Sequence, residues 1–251
     1  MCKDEADIVE ASMLRMLAQV DAVIVADNGS TDGTREILLD LADNHPLEVR
    51  DDPEVGYFQS EKMSALAARA AREGATFVVP FDCDEIWHSP EGRIADVLAE
   101  AAPTMAVAAA PILNYVAAAE DDVALPPFER LRWRRREALP LPKVACRSAL
   151  PVTIEQGNHG AHWPTEIVHG LLEVHHFPYR SPEQFLSKVR NGAAAYAATD
   201  LPYSTGQHWR EYGELLEAEG PGAVEDWFRQ HFLIDDPASD PELILSPCPS
   251  P

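Results

Sequence analysis

Apolar positions along the first hundred residues alternate between a helical period and short continuous runs, which predicts helices and buried strands in turn. Residues 7–18 carry Ile8, Met13, Leu14, Met16 and Leu17 without a breaker and predict a helix. The run 22-AVIVAD-27 predicts a buried strand, followed by turn residues Asn28 and Gly29 and by Ser30, Thr31 and Asp32 in helix-capping chemistry. The segment 34–42 sets Ile37, Leu38 and Leu41 on one helical face, and 47-LEVRD-51 reads as a short strand. Residues 60–73 predict a helix with Met63, Leu66, Ala67 and Ala70 inward and Gly74 at its end; 75–81 reads as a strand and 93–101 as a helix. Strands alternating with helices of this length predict an α/β fold with a mostly parallel central sheet flanked by helices, whose ligands sit beyond the carboxyl ends of the strands.

The second half is less regular. Residues 105–118 supply one or two strands. In 130-RLRWRRR-136 an extended chain sets Arg130, Arg132, Arg134 and Arg136 on one face and Leu131 and Trp133 on the other. Residues 181–198 open as a capped helix, with Ser181 as N-cap, Pro182 at the first helical position and Gln184 completing a capping box. Two amphipathic helices are expected at 207–219 and 222–232, and the proline- and acid-rich stretch from Asp235 is expected to be disordered.

Charge narrows the function classes. A net charge of −22 argues against a nucleic-acid or anionic-membrane surface, so any anionic ligand needs a local metal or a cluster of basic residues. Four scattered cysteines without a CxxC pair fit a reducing compartment, and neither a transmembrane run nor a secretion signal is legible, so a cytoplasmic location is expected. The sequence does not specify an oligomeric state.

Two polar motifs leave strands at the same predicted sheet edge, 27-DNGSTDGT-34 and 82-DCDE-85. If the chain stays extended there, Asp82 and Asp84 point to one side and Glu85 turns away. Two hard oxygen donors suit Mg²⁺ or Mn²⁺ held with a substrate phosphate; the bland alternative is a solvated acidic loop. Asp27 at its strand tip is placed to accept from a base or ribose, and Gly29 lets a ligand approach the backbone. Arg180 and Lys188, flanking the capped helix, are candidate phosphate contacts, as is the arginine run, for which a solvated strand is an equal reading. Tyr57, Trp87, Trp163 and Trp209 offer sugar-stacking faces, against the commoner fate of burial. Five histidines, His159, His162, His169, His175 and His176, raise a metallohydrolase as an alternative, although their spacing is not HExxH. In an extended 172-LEVHHF-177, His175 and His176 face opposite ways, and His175 is favoured for a metal because it shares a side with Glu173.

The ordered set 3-KDEADI-8, 23-VIVADNGSTDGT-34 and 56-GYFQSEKMSALAARAAREGATFVVPFDCDEIW-87 resembles the nucleotide-sugar half of family 2 glycosyltransferases with the GT-A fold. It continues weakly through 143-KVACR-147, 156-QGNH-159 and 174-VHHFPYRSPEQFLSKVRNG-192. The resemblance implies an inverting, hexosyltransferase-like enzyme that takes a nucleoside-diphosphate sugar to a hydroxyl acceptor. It implies Asp27 at the base, Asp82 and Asp84 as the DxD that binds Mn²⁺ or Mg²⁺ and the diphosphate, and His175 or His176 completing the cation site. Asp4, Glu5 and Lys62 fall in its donor-binding segments. The catalytic base has no clean counterpart: Glu155 is favoured, with His159, Asp121 and Asp122 beside it. Rival readings are nucleotidyl transfer, the metallohydrolase, and a non-catalytic nucleotide-sugar binder.

The domain expected over 1–192 divides into a nucleotide-sugar half (1–102) and an acceptor and metal-completing half (103–192), followed by a helical extension (193–234) and the tail (235–251). A GT-A sheet has a central strand before the position of Lys3-Asp4-Glu5, where this sequence has only Met1 and Cys2. The expectation is a gap in the sheet and a chain that begins late.

Overall fold

A computed structural model describes residues 1–101, 105–148, 151–161 and 167–249. Strand β1 (Val23–Asp27) pairs in parallel with β2 (Leu47–Asp51), and helices α1 (Val9–Gln19) and α2 (Thr34–Ala42) join this small sheet. Met13 and Met16 of α1 and Leu38 and Leu41 of α2 bury against Val23 and Val25, as the helical spacing dictates. Gly33 enters α2 at φ +101°, a conformation other residues adopt only with strain, while Asp32 accepts from the amide and hydroxyl of Thr34. Helix α3 (Gln59–Arg72) follows, with Met63 and Ala67 inward.

The apolar run 75–81 forms only a two-residue strand, β3 (Phe77–Val78), antiparallel to β8 (Lys143–Arg147). After β4 (Glu85–His88) and α4 (Ile94–Ala101) come β5 (Val107–Ala110) and β6 (Ile112–Ala118). Strand β5 pairs antiparallel with β8 and parallel with β9 (Ile167–His169). A further sheet runs β12 (Leu243–Leu245), β7 (Trp133–Arg135), β6, β10 (Glu173–His176), β4, with β11 (Leu233–Ile234) also on β6. The α/β architecture with flanking helices is thus present, in sheets that mix parallel and antiparallel pairs.

Helices α6 (Pro182–Ala197), α7 (Gln207–Glu219) and α8 (Pro221–His231) pack around Phe185, Val189, Val224 and Phe228. Helix α6 runs unbroken through 192–193, the seam expected from sequence. The Ser181 hydroxyl caps it by accepting from the Gln184 amide, and the Gln184 side chain accepts from the Arg180 amide. No helix among the described residues is long and apolar enough to cross a membrane.

Two local expectations are corrected. The arginine run is not one extended strand: the pair Pro126-Pro127 starts a helical turn, α5 (Pro127–Arg130), so Arg130 belongs to a helix. Its cations serve structure: Arg130 donates to the Arg180 carbonyl, Arg135 pairs with Glu242, and Arg136 donates to the Pro241 and Leu243 carbonyls. The stretch after Asp235 is accordingly ordered where it meets them. Leu243–Leu245 pairs with β7, Cys248 packs on the Phe128–Leu131 cluster, and Arg15 donates to the Pro249 carbonyl.

Candidate active site

The 82–85 segment is a tight turn, closed by the Glu85 amide donating to the Asp82 carbonyl at 3.0 Å. Side chains therefore do not alternate as they would in a strand, and the acidic trio divides differently from expectation. Glu85 does not turn away. It is 1% exposed and shares Lys143 Nζ with Asp82, at 2.7 Å and 2.8 Å. Asp84 goes the other way, to Lys188 Nζ on α6 and, at 3.6 Å, to His176 Nε2 on β10.

Each of these charges is held against burial. Burial raises the Asp84 carboxyl, but Lys188, His176 and Arg180 outweigh it and hold the group well below the carboxylate range. Burial also opposes the lowering of Asp82, which Lys143 drives. For Glu85 burial wins, and its affinity for a proton rises despite Lys143. Lys143 and Lys188 are both pushed up by their carboxylates against the effect of burial.

A second layer joins the chain's first residues to this turn. Arg180, 2% exposed, reaches Glu5 through Nη2, donates from Nε and Nη2 to Asp7 at 2.8 and 2.7 Å, and from Nη1 to the Phe177 carbonyl. Lys188 also reaches Glu5 at 3.5 Å. Asp4 accepts from the Thr31 amide and from Asn191 of α6, tying the 28–33 loop to the same helix. Asp27 is buried, accepts from the Ser30 amide at 3.3 Å and meets Arg35 at 3.5 Å. Gly29 takes φ +72°, and a methyl group placed on it would meet nothing within 4 Å, so open space lies over this backbone. Lys62 is spent on Asp52 at 2.7 Å, in a knot with Asn28.

The histidine facing Asp84 is His176, not His175. The antiparallel register sets His176 opposite Glu85 of β4, next to Asp84, whereas His175 lies opposite Ile86. His175 is buried between the Tyr115 hydroxyl and Glu173, each at 2.9 Å. The comparison along one strand missed this because the deciding neighbour lies across the sheet. His176 Nδ1 lies 2.8 Å from Asn114 Oδ1, a contact that orients the ring with Nε2 towards Asp84. The other histidines do not join them: His159 faces the Pro142 carbonyl at 2.8 Å, His169 is exposed on β9, and His162 lies outside the described residues.

Gln59 is a site residue that sequence reading missed. Its Nε2 donates to Asp82 at 3.1 Å, and its Oε1 accepts from the Tyr57 hydroxyl and the Gly157 amide. The 156–159 loop is thereby fastened to the acidic turn, with Gln156 accepting from the Ser60 amide. Only its position after 56-GYF-58 at a helix start could have flagged it. Asn114 was missed as well, because its role appears only once β6 and β10 are paired. Glu155 is exposed at the start of this loop, its carboxylate lying over Gly160. Asp121 is held in a turn by the Ala118 amide, and Asp122 caps the amide of Ala124. Trp87 is core, Tyr57 packs on Tyr196 at 4.7 Å, Trp209 covers Gly192, and Trp163 lies outside the described residues.

Among the described residues no three His, Cys, Asp or Glu side chains form a ready metal cage. Asp84 Oδ2 and His176 Nε2 nevertheless face each other, with Asn114 fixing the ring, which fits a cation that takes its other ligands from phosphate and water.

The family model described as "Glycosyl transferase family 2" matches residues 1–147. No curated protein matches the chain. Among solved structures, S. aureus TarS 1-349 in complex with UDP is 14% identical, with a TM-score of 0.39, covering 91% of this chain and 72% of that one. S. aureus TarS 1-349 is 14% identical at a TM-score of 0.40 over 92% and 71%. S. aureus TarS is 15% identical at 0.39 over 84% and 41%.

Proposed function

The chain belongs to glycosyl transferase family 2, and from that premise we propose an inverting, hexosyltransferase-like enzyme of GT-A type that uses a nucleoside-diphosphate sugar, a hydroxyl acceptor and Mn²⁺ or Mg²⁺. The observation that carries it is the facing pair of Asp84 and His176 beside Lys188 in a chain of net charge −22. When bound, the cation neutralises charge on the departing diphosphate. Asp84 and His176 would hold it, with Asp82 beside them, and Lys188 would be the nearest side-chain cation to the phosphate. Asp27, Asp4 and Gly29 shape the nucleotide end. Glu5 and Lys62 act one layer back, through Arg180 and Asp52.

The acceptor hydroxyl gives its proton to a base, and its oxygen forms the new bond to the anomeric carbon from the face opposite the diphosphate. The old carbon–oxygen bond breaks and its electron pair leaves with phosphate. Glu155 is the proposed base. Its loop is the one Gln59 ties to Asp82, and His159 stands on the same loop as the second candidate.

Thermal-shift titration with UDP, GDP and dTDP, each with and without Mn²⁺, tests the reading. Stabilisation of about 2.7 kcal/mol at 100 times Kd is expected for one nucleotide and only with the metal. Asp84→Ala abolishes that coupling. Mn²⁺ dependence that survives the substitution removes the DxD from the mechanism, and hydrolysis of the matching donor separates an enzyme from a binder.

A further inference from the structure

Among the described residues, three buried side-chain atoms without a hydrogen-bond partner stand within one turn, 155–160. They are Oδ1 and Nδ2 of Asn158 and Nε2 of Gln156. Asn158 is fully buried and holds φ at +58°, directly after Gly157 at +74°. A buried carboxamide with neither end paired is costly, and a left-handed backbone at a residue other than glycine adds to that cost. The turn does not need this side chain. Its backbone is closed by the Asn158 amide donating to the Glu155 carbonyl and the Glu155 amide to the Gly160 carbonyl, at 3.0 and 2.8 Å. Its ties to the rest of the protein belong to the neighbours: Gln156 accepts from the Ser60 amide, Gly157 donates to Gln59, and His159 meets the Pro142 carbonyl. Packing alone favours an apolar side chain at such a position.

The surroundings of the turn indicate what the idle carboxamide is for. The Gly157 amide lies 2.7 Å from Gln59 Oε1, and Gln59 Nε2 lies 3.1 Å from Asp82, so a single side chain separates this turn from the acidic one. His159 is tied to Pro142, the residue before Lys143, whose ammonium meets the same Asp82. Glu155 opens the turn. Asparagine enters the left-handed well more readily than other residues with a side chain, so it passes between the two wells at small cost. With Gly157 held by Gln59 as a pivot, rotation about the Asn158 backbone carries the carboxamide out of the interior.

We propose that Asn158 reads the transferred sugar: turned out of its buried resting place, it binds a pair of neighbouring hydroxyl groups on the donor. A carboxamide presents an acceptor and two donors side by side, which matches a diol in which one hydroxyl gives a hydrogen bond and the other receives one. This role rests on the glycosyltransferase reading and concerns the sugar rather than the diphosphate. Asn158 is then a specificity-determining residue, and its unpaired state in the resting chain is the state of a group waiting for its partner.

Asn158→Gly tests this, since glycine suits φ +58° and leaves the backbone bonds of the turn in place. Without ligand, its Tm is expected to hold or rise, because only an idle buried amide is lost. A fall of more than about 4 °C shows that the amide is paired within the fold and overturns the proposal. For the nucleotide that stabilises wild type, the glucose, galactose and mannose conjugates are then titrated beside their monodeoxy analogues in the presence of Mn²⁺. Wild type is expected to prefer one parent donor over one of its monodeoxy forms by about tenfold or more. Asn158→Gly is expected to bind those two alike, within about twofold, while its Kd for the free diphosphate stays that of wild type. Discrimination that survives the substitution overturns the proposal, and so does wild type that binds the diphosphate but tells none of the sugars apart. Wild type that binds no diphosphate at all overturns the glycosyltransferase reading itself, and this role with it.

Discussion

The two ends of the acidic turn are neutralised by different lysines in different surroundings. At one end Lys143, rooted in β8 and 7% exposed, is shared by Asp82 and the buried Glu85. At the other, Lys188 on α6 is 19% exposed and meets Asp84 and Glu5, with the half-buried His176 alongside. The first is a closed pair of charges inside a sheet, and the second opens onto a ring nitrogen and solvent. A closed pair sets the shape of the turn, whereas an open one still has coordination to offer. The turn is thus asymmetric: Asp82 and Glu85 share one buried lysine, and Asp84 stands beside a second lysine and a histidine.

That asymmetry is easiest to break at Lys143. Lys143→Met strands Asp82 and Glu85 without their ammonium, and losing one member of a buried pair costs about 3–5 kcal/mol. Urea denaturation at pH 7 measures it. The double variant Lys143→Met/Glu85→Gln recovers a large part, since the buried charge goes with its partner; a single-variant loss under about 1 kcal/mol contradicts the closed end. Lys188→Met is milder, about 1–3 kcal/mol, because Arg180 still holds Glu5. It changes nucleotide binding more than it changes folding, which the same thermal shifts resolve.

Smaller effects test what positions the open end. Ser181→Ala removes the cap of the helix that carries Lys188 and costs about 1 kcal/mol. Asp32 accepts from the Ala6 amide and so steadies the Asp4–Asp7 segment. Asp32→Asn costs under about 1 kcal/mol. Partial burial raises the Asp32 carboxyl, but the Thr34 hydroxyl and the Ala6 and Thr34 amides lower it overall. Its folded value lies below the unfolded one, so its contribution is complete above about pH 4 and fades as pH falls through the folded value. The gap between wild type and Asp32→Asn should be flat from pH 8 to 5 and close below 4.

The first half of the fold was legible because its signals are local. The helix over 34–42 and the strand over 47–51 end where the periodicity and turn residues say they do. The acidic trio was legible as a place but not as an arrangement. Glu85 turns inward because Lys143 waits 58 positions later on another strand, and no local pattern reports that. The preference for His175 over His176 rested on one strand alone, whereas the register against β4 is what sets His176 beside Asp84. The 75–81 run was read as a full strand from its apolarity, whereas only Phe77–Val78 pairs, against β8. The helical turn at Arg130 was readable in Pro126-Pro127, a start signal that the alternation of the arginines obscured.

The Arg180 clamp also sets an order of events during synthesis. Its partners Glu5 and Asp7 stand 175 and 173 positions earlier. At the usual pace of translation they are made roughly 9–35 s before Arg180. Through that interval the loop bearing Asp4 and Glu5 lacks the cation that fixes it, however well the helices around it have formed. Donor binding on the ribosome should therefore be undetectable until α6 has emerged, making the newest part of the nascent chain the part that completes its oldest.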